Sequence, residues 1–297
     1  MNFTTDSKVL IQGITEPIGA TYAPLMQAYG TQIVAGISPG YGGEKHQGIP
    51  VFDMVEQALF QVGMVDTTVI FVPPYSVLDA ALEAIAAGIR QIILMTEGVP
   101  PLDMVRLIRK AESTETLVVG PNSAGVIVPG EILLGTHPTD FYMPGSVGLI
   151  SRSGTLTHEV ALELTRAGFG QSIAVGVGGD RVVGSSFQQW LQILEEDDKT
   201  EVIVLLGGVG GDGEEVAARY IAEAIDKPVI AYIAGRNAPK EFLGYTEAIA
   251  GFQLSNTRIG DADSKIAAFI QAQVPVADRP SQIPALVKQA LQTSAIA

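Results

Sequence analysis

Short apolar runs rich in β-branched residues recur along the 297-residue chain, separated by amphipathic stretches. Residues 8–11, 31–37, 67–72, 91–95 and 116–119 form a first series of strand-length segments. Between them, residues 76–87 put Val77, Ala80, Ala81 and Ile85 on one face with Asp79 and Glu83 opposed, and residues 102–111 follow the same helical spacing. A second series begins after the Pro- and Gly-bearing stretch 129–145. Its strands are expected at 147–150, 172–175, 201–206 and 228–233, with helices near 156–167, 187–194 and 214–225. Near-continuous apolar strands alternating with helices are the pattern of parallel sheets covered on both faces. The expectation is an α/β protein of two doubly wound domains, residues 1–130 and 131–275, followed by a tail (276–297) with one helix at 283–291.

Composition narrows the function classes. Hydrophobic residues make up 47% of the chain and charged residues 17%, which supplies two buried cores and leaves little material for disorder. Eighteen Lys and Arg stand against 32 Asp and Glu, for a net charge of −14. Such a balance argues against nucleic acid or an anionic membrane as partner, because phosphate affinity rests on clustered Lys and Arg. With no Cys, thiolate catalysis, disulfides and zinc–cysteine sites are excluded. Residues 1–7 are polar and show no secretory pattern, and no apolar run approaches the ~20 residues of a membrane helix. A cytoplasmic protein without membrane insertion is expected.

The candidate chemistry lies in glycine-bearing loops at strand ends, where unpaired amides and helix dipoles converge. The first is Gly13-Ile14-Thr15-Glu16-Pro17-Ile18-Gly19 after the first strand. A turn of this kind either cradles a phosphate or simply redirects the chain. Ser38-Pro39-Gly40-Tyr41-Gly42-Gly43 follows the second strand, and Met95-Thr96-Glu97-Gly98 ends another on the same sheet edge. Three loops on one edge can converge on one ligand. In the second domain Ser151-Arg152-Ser153-Gly154-Thr155 joins a strand to a helix and offers hydroxyls, amides and one Arg to a phosphate or carboxylate. Gly207-Gly208-Val209-Gly210-Gly211 is a second glycine-dense junction there, followed by Asp212, Glu214 and Glu215. These acids read as hydrated surface groups or complements to a helix dipole rather than a Mg²⁺ site. No metal site of the chain's own is expected. Trp190 reads as a packing residue, and the acids 195–198 as a solvated helix end.

Several further motifs stand in order along residues 5–270: Tyr29-Gly30-Thr31, His46 with Gly48-Ile49-Pro50-Val51-Phe52, Gly120-Pro121-Asn122, Pro129-Gly130-Glu131, Gly168-Phe169-Gly170-Gln171-Ser172, Gly178-Gly179-Asp180 and Tyr232-Ile233-Ala234-Gly235. With the loops above, the chain resembles the α subunit of succinyl-CoA synthetase (succinate–CoA ligase, NDP-forming). The resemblance implies an N-terminal Rossmann-like CoA-binding domain and a C-terminal flavodoxin-like ligase domain. It implies coenzyme A as cofactor, with Thr15, Gly19, Pro39, Tyr41, Lys45, Met95, Thr96 and Glu97 at its binding positions. Ser151, Arg152, Ser153, Gly154 and Thr155 match the loop that takes a phosphate or carboxylate. ATP or ADP with Mg²⁺ would enter only through a partner β subunit of ATP-grasp type. The assembly expected is a complex with such a subunit or another protein, or a homo-oligomer.

The chain departs from the family at the chemistry. The family's phosphohistidine stands in Gly-His-Ala-Gly-Ala-Ile, and this chain reads Gly244-Tyr245-Thr246-Glu247-Ala248-Ile249. A tyrosine hydroxyl with a pKa of about 10 is a poor phosphoryl acceptor at neutral pH. The family's Glu partner of that histidine, in Gly-Glu-x-Gly-Gly, is Gly208 here, and Phe252-Gln253-Leu254-Ser255 replaces glycines farther on. In the CoA loops Glu16 is gained and Tyr41 stands where a basic residue is usual, with Lys45 nearby. Of the three histidines, His46 matches a non-catalytic position and His137 is expected to be solvated. His158, just inside a helix start, replaces a family Tyr and is the candidate substitute nucleophile. Two readings follow: a catalytically degenerate α-type subunit kept as a CoA- or nucleotide-binding or assembly module, or an active α subunit of an acid–CoA ligase. A dehydrogenase is disfavoured, because the dinucleotide loop spacing is absent and no His or Lys is placed for hydride transfer.

Overall fold

The computed structural model describes residues 3–237 and 260–294. Position 245 and the substitutions at 252–255 lie outside the described residues. The chain divides into two compact units, Met1–His137 with Val182–Ser185, and Pro138–Arg181 with Ser186–Ala297.

The first unit begins with β1 (Lys8–Gln12), α1 (Pro17–Tyr29), β2 (Gln32–Ile37), the short β3 (Lys45–His46), β4 (Ile49–Phe52) and α2 (Val55–Val62). It continues through β5 (Thr67–Ile70), α3 (Val77–Ala86), β6 (Gln91–Leu94), α4 (Pro101–Ser113) and β7 (Leu117–Val119). The strand order is β3-β4-β2-β1-β5-β6-β7, parallel except for the antiparallel β3–β4 pair. Leaving out the edge strand β3, this is the doubly wound 3-2-1-4-5-6 order, whose ligand crevice lies where the order reverses, between β1 and β5. Leu10, Ile70, Ile92, Leu94 and Val118 meet Val77, Ala81, Ile85, Met104 and Leu107 of the helices in one buried core. The unit closes with a hairpin, β8 (Gly125–Val128) and β9 (Ile132–Gly135). The Tyr29 hydroxyl accepts the Gly130 amide at 2.8 Å, and Thr31 Oγ1 donates to the Leu133 carbonyl at 2.6 Å. Two motifs a hundred residues apart in sequence thus hold the hairpin against the end of α1.

The second unit runs β10 (Pro144–Ser151), α5 (Gly154–Arg166), β11 (Gln171–Gly176), α6 (Phe187–Glu195), β12 (Val202–Gly207), α7 (Gly213–Ala224) and β13 (Val229–Ile233). Its described part ends with α8 (Ala262–Gln271), β14 (Val276–Ala277) and α9 (Ile283–Ser294). The unit's own strands order as β14-β13-β12-β10-β11, all parallel, which is the flavodoxin-like 2-1-3-4-5 order. Both doubly wound folds expected from the hydrophobic pattern are present. Trp190 is wholly buried, as its place on the apolar face of α6 suggested. The pattern did not single out α1, β3, β4, α2, β8, β9, α8 or β14. Most are strands of two to four residues, too short to show a period, and α8 carries a Lys in the middle of its buried face. Among the described residues no helix is long and apolar enough to cross a membrane.

Candidate functional site

In the first unit the loops after β1, β2 and β6 share one sheet edge at the switch point. Gly13 sits at φ 81°, and a Cβ on Gly19 would fall 2.2 Å from the Gly13 carbonyl oxygen. Both positions need glycine for α1 to start so close to β1. The N-cap Glu16 makes no side-chain cap bond and Pro17 opens the helix, so the first amides of α1 are not consumed by Glu16. Thr15 Oγ1 and Ser38 Oγ share a hydrogen bond of 2.6 Å, which ties the first loop to the second. In that second loop Asp53 Oδ1 accepts the amides of Gly40 (2.7 Å) and Gly42 (3.1 Å). Pro39, Tyr41 and Lys45 are exposed around it. Gly40 and Gly43 have φ of 88° and 90°, and a Cβ on either meets nothing within 4 Å. The surface at these two glycines is therefore open to close approach, although their amides are already taken, by Asp53 at Gly40 and by the Val51 carbonyl at Gly43. Thr96 Oγ1 donates to the Val72 carbonyl at 2.7 Å and the Thr96 carbonyl accepts the Asn122 amide at 2.8 Å, fixing the Met95-Thr96-Glu97 turn. Met95 is half-buried and Glu97 exposed.

In the second unit the corresponding switch point lies between β10 and β12, and the two glycine-bearing loops named from sequence meet there. Ser151 is fully buried. Its hydroxyl accepts the Ser153 amide and donates to the Ser153 carbonyl, each at 3.0 Å, so it braces the loop from inside. Ser153 caps α5 by accepting the Leu156 amide at 3.4 Å, and Thr157 Oγ1 donates to the Ser153 carbonyl. The amides of Gly154 and Thr155 have no partner among the described residues, as befits the start of a helix. With Arg152 beside them they make an arrangement chemically suited to an anion.

The strongest feature of this site was not anticipated. Glu214, expected at the surface, is fully buried. Its Oε1 accepts the Gly208 amide at 3.0 Å and Arg152 Nη1 at 3.5 Å, and its Oε2 meets Lys265 Nζ at 2.5 Å. Lys265, also fully buried, donates in addition to Glu215 Oε2 and the Gly211 carbonyl, both at 2.9 Å. Arg152 Nη1 donates to the Gly210 carbonyl at 3.1 Å. Glu214 and Glu215 are thus the counter-charges of Arg152 and Lys265, not hydrated surface groups, whereas Asp212 is exposed as expected. The sequence signal was Lys265 itself, set between Ala262 and Phe269 on the buried face of α8, because a lysine there needs a carboxylate partner. Glu214 can pass because β12 ends in Gly207, where a Cβ would lie 2.6 Å from Glu214 Cγ.

At Gly208, where the resemblance places a Glu, a Cβ meets nothing within 4 Å. His158 lies in the second turn of α5, and its Nε2 is enclosed. Burial lowers its pKa from the ordinary 6.5. His137 is 2% exposed, which corrects the expectation of a solvated side chain.

Comparison with known proteins places these loops in a family. Residues 4–98 match the model of the CoA binding domain, and residues 150–273 that of CoA-ligase. The chain is 41% identical over 286 residues to succinate–CoA ligase (ADP-forming) subunit alpha 2 of Archaeoglobus fulgidus, covering 96% of this chain and 97% of that one. It is 43% identical over 256 residues to malate–CoA ligase subunit alpha of Methylorubrum extorquens, covering 84% and 86%. Among solved structures, ATP citrate lyase of Methanothrix soehngenii in complex with citrate and coenzyme A aligns with a TM-score of 0.88 at 25% identity. That alignment covers all of this chain but 52% of the lyase, so the chain spans about half the length of that structure. At this identity and coverage the chain belongs to the succinate–CoA ligase α-subunit family.

Proposed function

We propose that this protein is an α-type subunit of an acid–CoA ligase assembly that binds coenzyme A and a phosphate or carboxylate but no longer relays a phosphoryl group through position 245. The reading is supported by the sequence at two positions, Gly208 where the resemblance expects a Glu and Tyr245 where it expects the histidine, beside a loop whose groups can take an anion. Arg152 and the α5 amides are held in place, while Gly208 presents no side chain and Tyr245 stands for the histidine. Lys45, the start of α1 and the Thr96 turn are the groups that would hold the anionic part of coenzyme A, with Gly40 and Gly43 leaving room for it. Coenzyme A, when bound, supplies a thiol that accepts an acyl group. Glu16 and Tyr41 make this loop less basic than the family pattern, so binding weaker than in a basic loop is expected. A nucleotide with Mg²⁺ would be contributed by a β-type partner, as subunit names among the relatives suggest.

The test has two parts. Titration calorimetry of the chain with coenzyme A should give a Kd below about 100 μM, roughly −5.5 kcal/mol. A verified complex with a β subunit from a relative is then incubated with ATP, Mg²⁺ and succinate or malate, and the α chain is mapped by mass spectrometry under alkaline conditions. The reading expects no phosphorylated residue in the α chain and no acyl-CoA. Gly208→Glu should fold normally, because its Cβ meets nothing within 4 Å among the described residues, and Gly208→Glu with Tyr245→His should be the first variant to acquire label.

A second reading is kept by one observation. A neutral imidazole is nucleophilic, and His158, neutral at pH 7, lies one turn inside the helix that opens on the anion loop. An active ligase using it requires the enclosed Nε2 to become accessible. Phosphate located on His158 together with acyl-CoA formation would establish this reading and overturn the first.

A further inference from the structure

The proposed function needs an anion held at the start of α5, and the cation beside it among the described residues is Arg152. An arginine side chain is long and must lose rotamer freedom before its donors act together. Here that ordering is built in before any ligand arrives. Arg152 Nη1 is committed to Glu214 and to the Gly210 carbonyl, whereas Nε and Nη2 have no protein hydrogen bond among the described residues. The adjoining loop, residues 208–211, is tied by the same buried pair. Glu214 takes the Gly208 amide, Lys265 holds the Gly211 carbonyl, and the Gly210 amide donates to the Gly260 carbonyl at 2.7 Å.

We propose that Glu214 is a positioning residue for the anion loop. Its Oε1 orients the Arg152 guanidinium and the 208–211 backbone, and Lys265 holds its Oε2. The proposal rests on the anion-site reading above. The charge balance supports a positioning role over simple neutralisation. Two carboxylates, Glu214 and Glu215, face two cations, Arg152 and Lys265. The negative charge of Glu214 is therefore shared with a lysine that is itself wholly buried, and Arg152 keeps its attraction for an incoming anion. Removing one member of such a buried group leaves an unpaired charge, whereas changing both members of a pair is often tolerated. The site therefore has to be tested with paired substitutions.

The test compares two double variants with the wild-type chain. In Glu214→Gln with Lys265→Met, the amide oxygen can stay on the Gly208 amide and Arg152, and no ammonium faces the new NH₂ group. In Glu214→Met with Lys265→Met the oxygen is gone while the lysine change is the same. Glu215 keeps its hydrogen bond from Ser264 Oγ in both. Affinity for inorganic phosphate is measured by calorimetry, with coenzyme A affinity as the control on the first unit. The Met variant should bind phosphate more weakly than the Gln variant, by up to about tenfold, since ordering one rotamer-rich side chain is worth at most about that much. Coenzyme A affinity should be alike in all three. Equal phosphate affinity in the two folded variants overturns the proposal, because a purely structural role does not depend on that oxygen.

Should the Met variant not fold, the wild-type chain gives the answer by arginine side-chain NMR. Separately resolved Nη signals for Arg152 without phosphate support a held guanidinium, and one averaged signal overturns it. Failure of the wild type to bind phosphate at all, with its coenzyme A binding intact, would remove the anion-site reading itself.

Discussion

At the scale of single residues, burial decides what the sequence leaves open. His158 was visible as a histidine near a helix start, but its enclosure and lowered pKa come from the packing around α5. Desolvation disfavours the imidazolium, so the unfolded chain takes up a proton near pH 6.5 and the folded chain only at lower pH. Stability linked to this group is therefore fully present above about pH 6.5 and declines as the pH falls below it. The variant His158→Gln should show a smaller drop in urea midpoint between about pH 7.5 and pH 5.5 than the wild type. An identical drop would mean that the histidine is not enclosed in solution. Glu214 teaches the reverse lesson. Its identity and position suggested a surface acid, and only a lysine that arrives from α8, fifty residues later, makes its burial tolerable.

At the scale of elements, both candidate sites are strand-to-helix junctions whose geometry depends on particular small residues. Ser153 caps α5 and its carbonyl receives Thr157 Oγ1, so Ser153→Ala should cost about 1 kcal/mol. The same variant should weaken phosphate binding, because the first turn then frays. Denaturant unfolding and calorimetry together check both effects. In the first unit Gly19→Ala would drive a methyl group into the Gly13 carbonyl and push α1 away from β1. Reduced stability and reduced coenzyme A affinity are both expected, with phosphate affinity unchanged. An alanine variant that binds coenzyme A as well as wild type would show that the start of α1 takes no part in that site. The alternation of strands and helices made these junctions legible in advance. What could not be read was how each loop is braced. The bonds that do so run between residues far apart in sequence, such as Asp53 to Gly40 and Thr96 to Val72.

At the scale of the whole molecule, each of the two doubly wound units carries a candidate site, proposed for coenzyme A in the first and for an anion in the second. A ligand stabilises the unit that binds it, by about 2.7 kcal/mol at a hundredfold excess over Kd. Scanning calorimetry should therefore show coenzyme A and phosphate acting on different parts of the unfolding profile, with additive effects when both are present. Coenzyme A that stabilises the Ser153→Ala variant as much as the wild type would support this independence. If phosphate abolished the coenzyme A effect, the sites would be one site, contrary to their assignment to different units. The negative net charge of the chain makes the local placement of Arg152 and Lys45 matter more, since no general positive field attracts an anion.

Local pattern was enough to show two parallel α/β folds and the strand ends at which ligands would enter. These are readable because strand burial, helix period and glycine loops are written in neighbouring residues. The tertiary structure decided which strands lie side by side, and so placed each switch point between β1 and β5 or between β10 and β12. It also decided that Glu214, among the acids after the glycine loop, is a buried partner of Arg152 and Lys265. The physical reason is that a buried charge is tolerated only where opposite charge and hydrogen bonds surround it, and those partners come from separate elements that only the fold brings together.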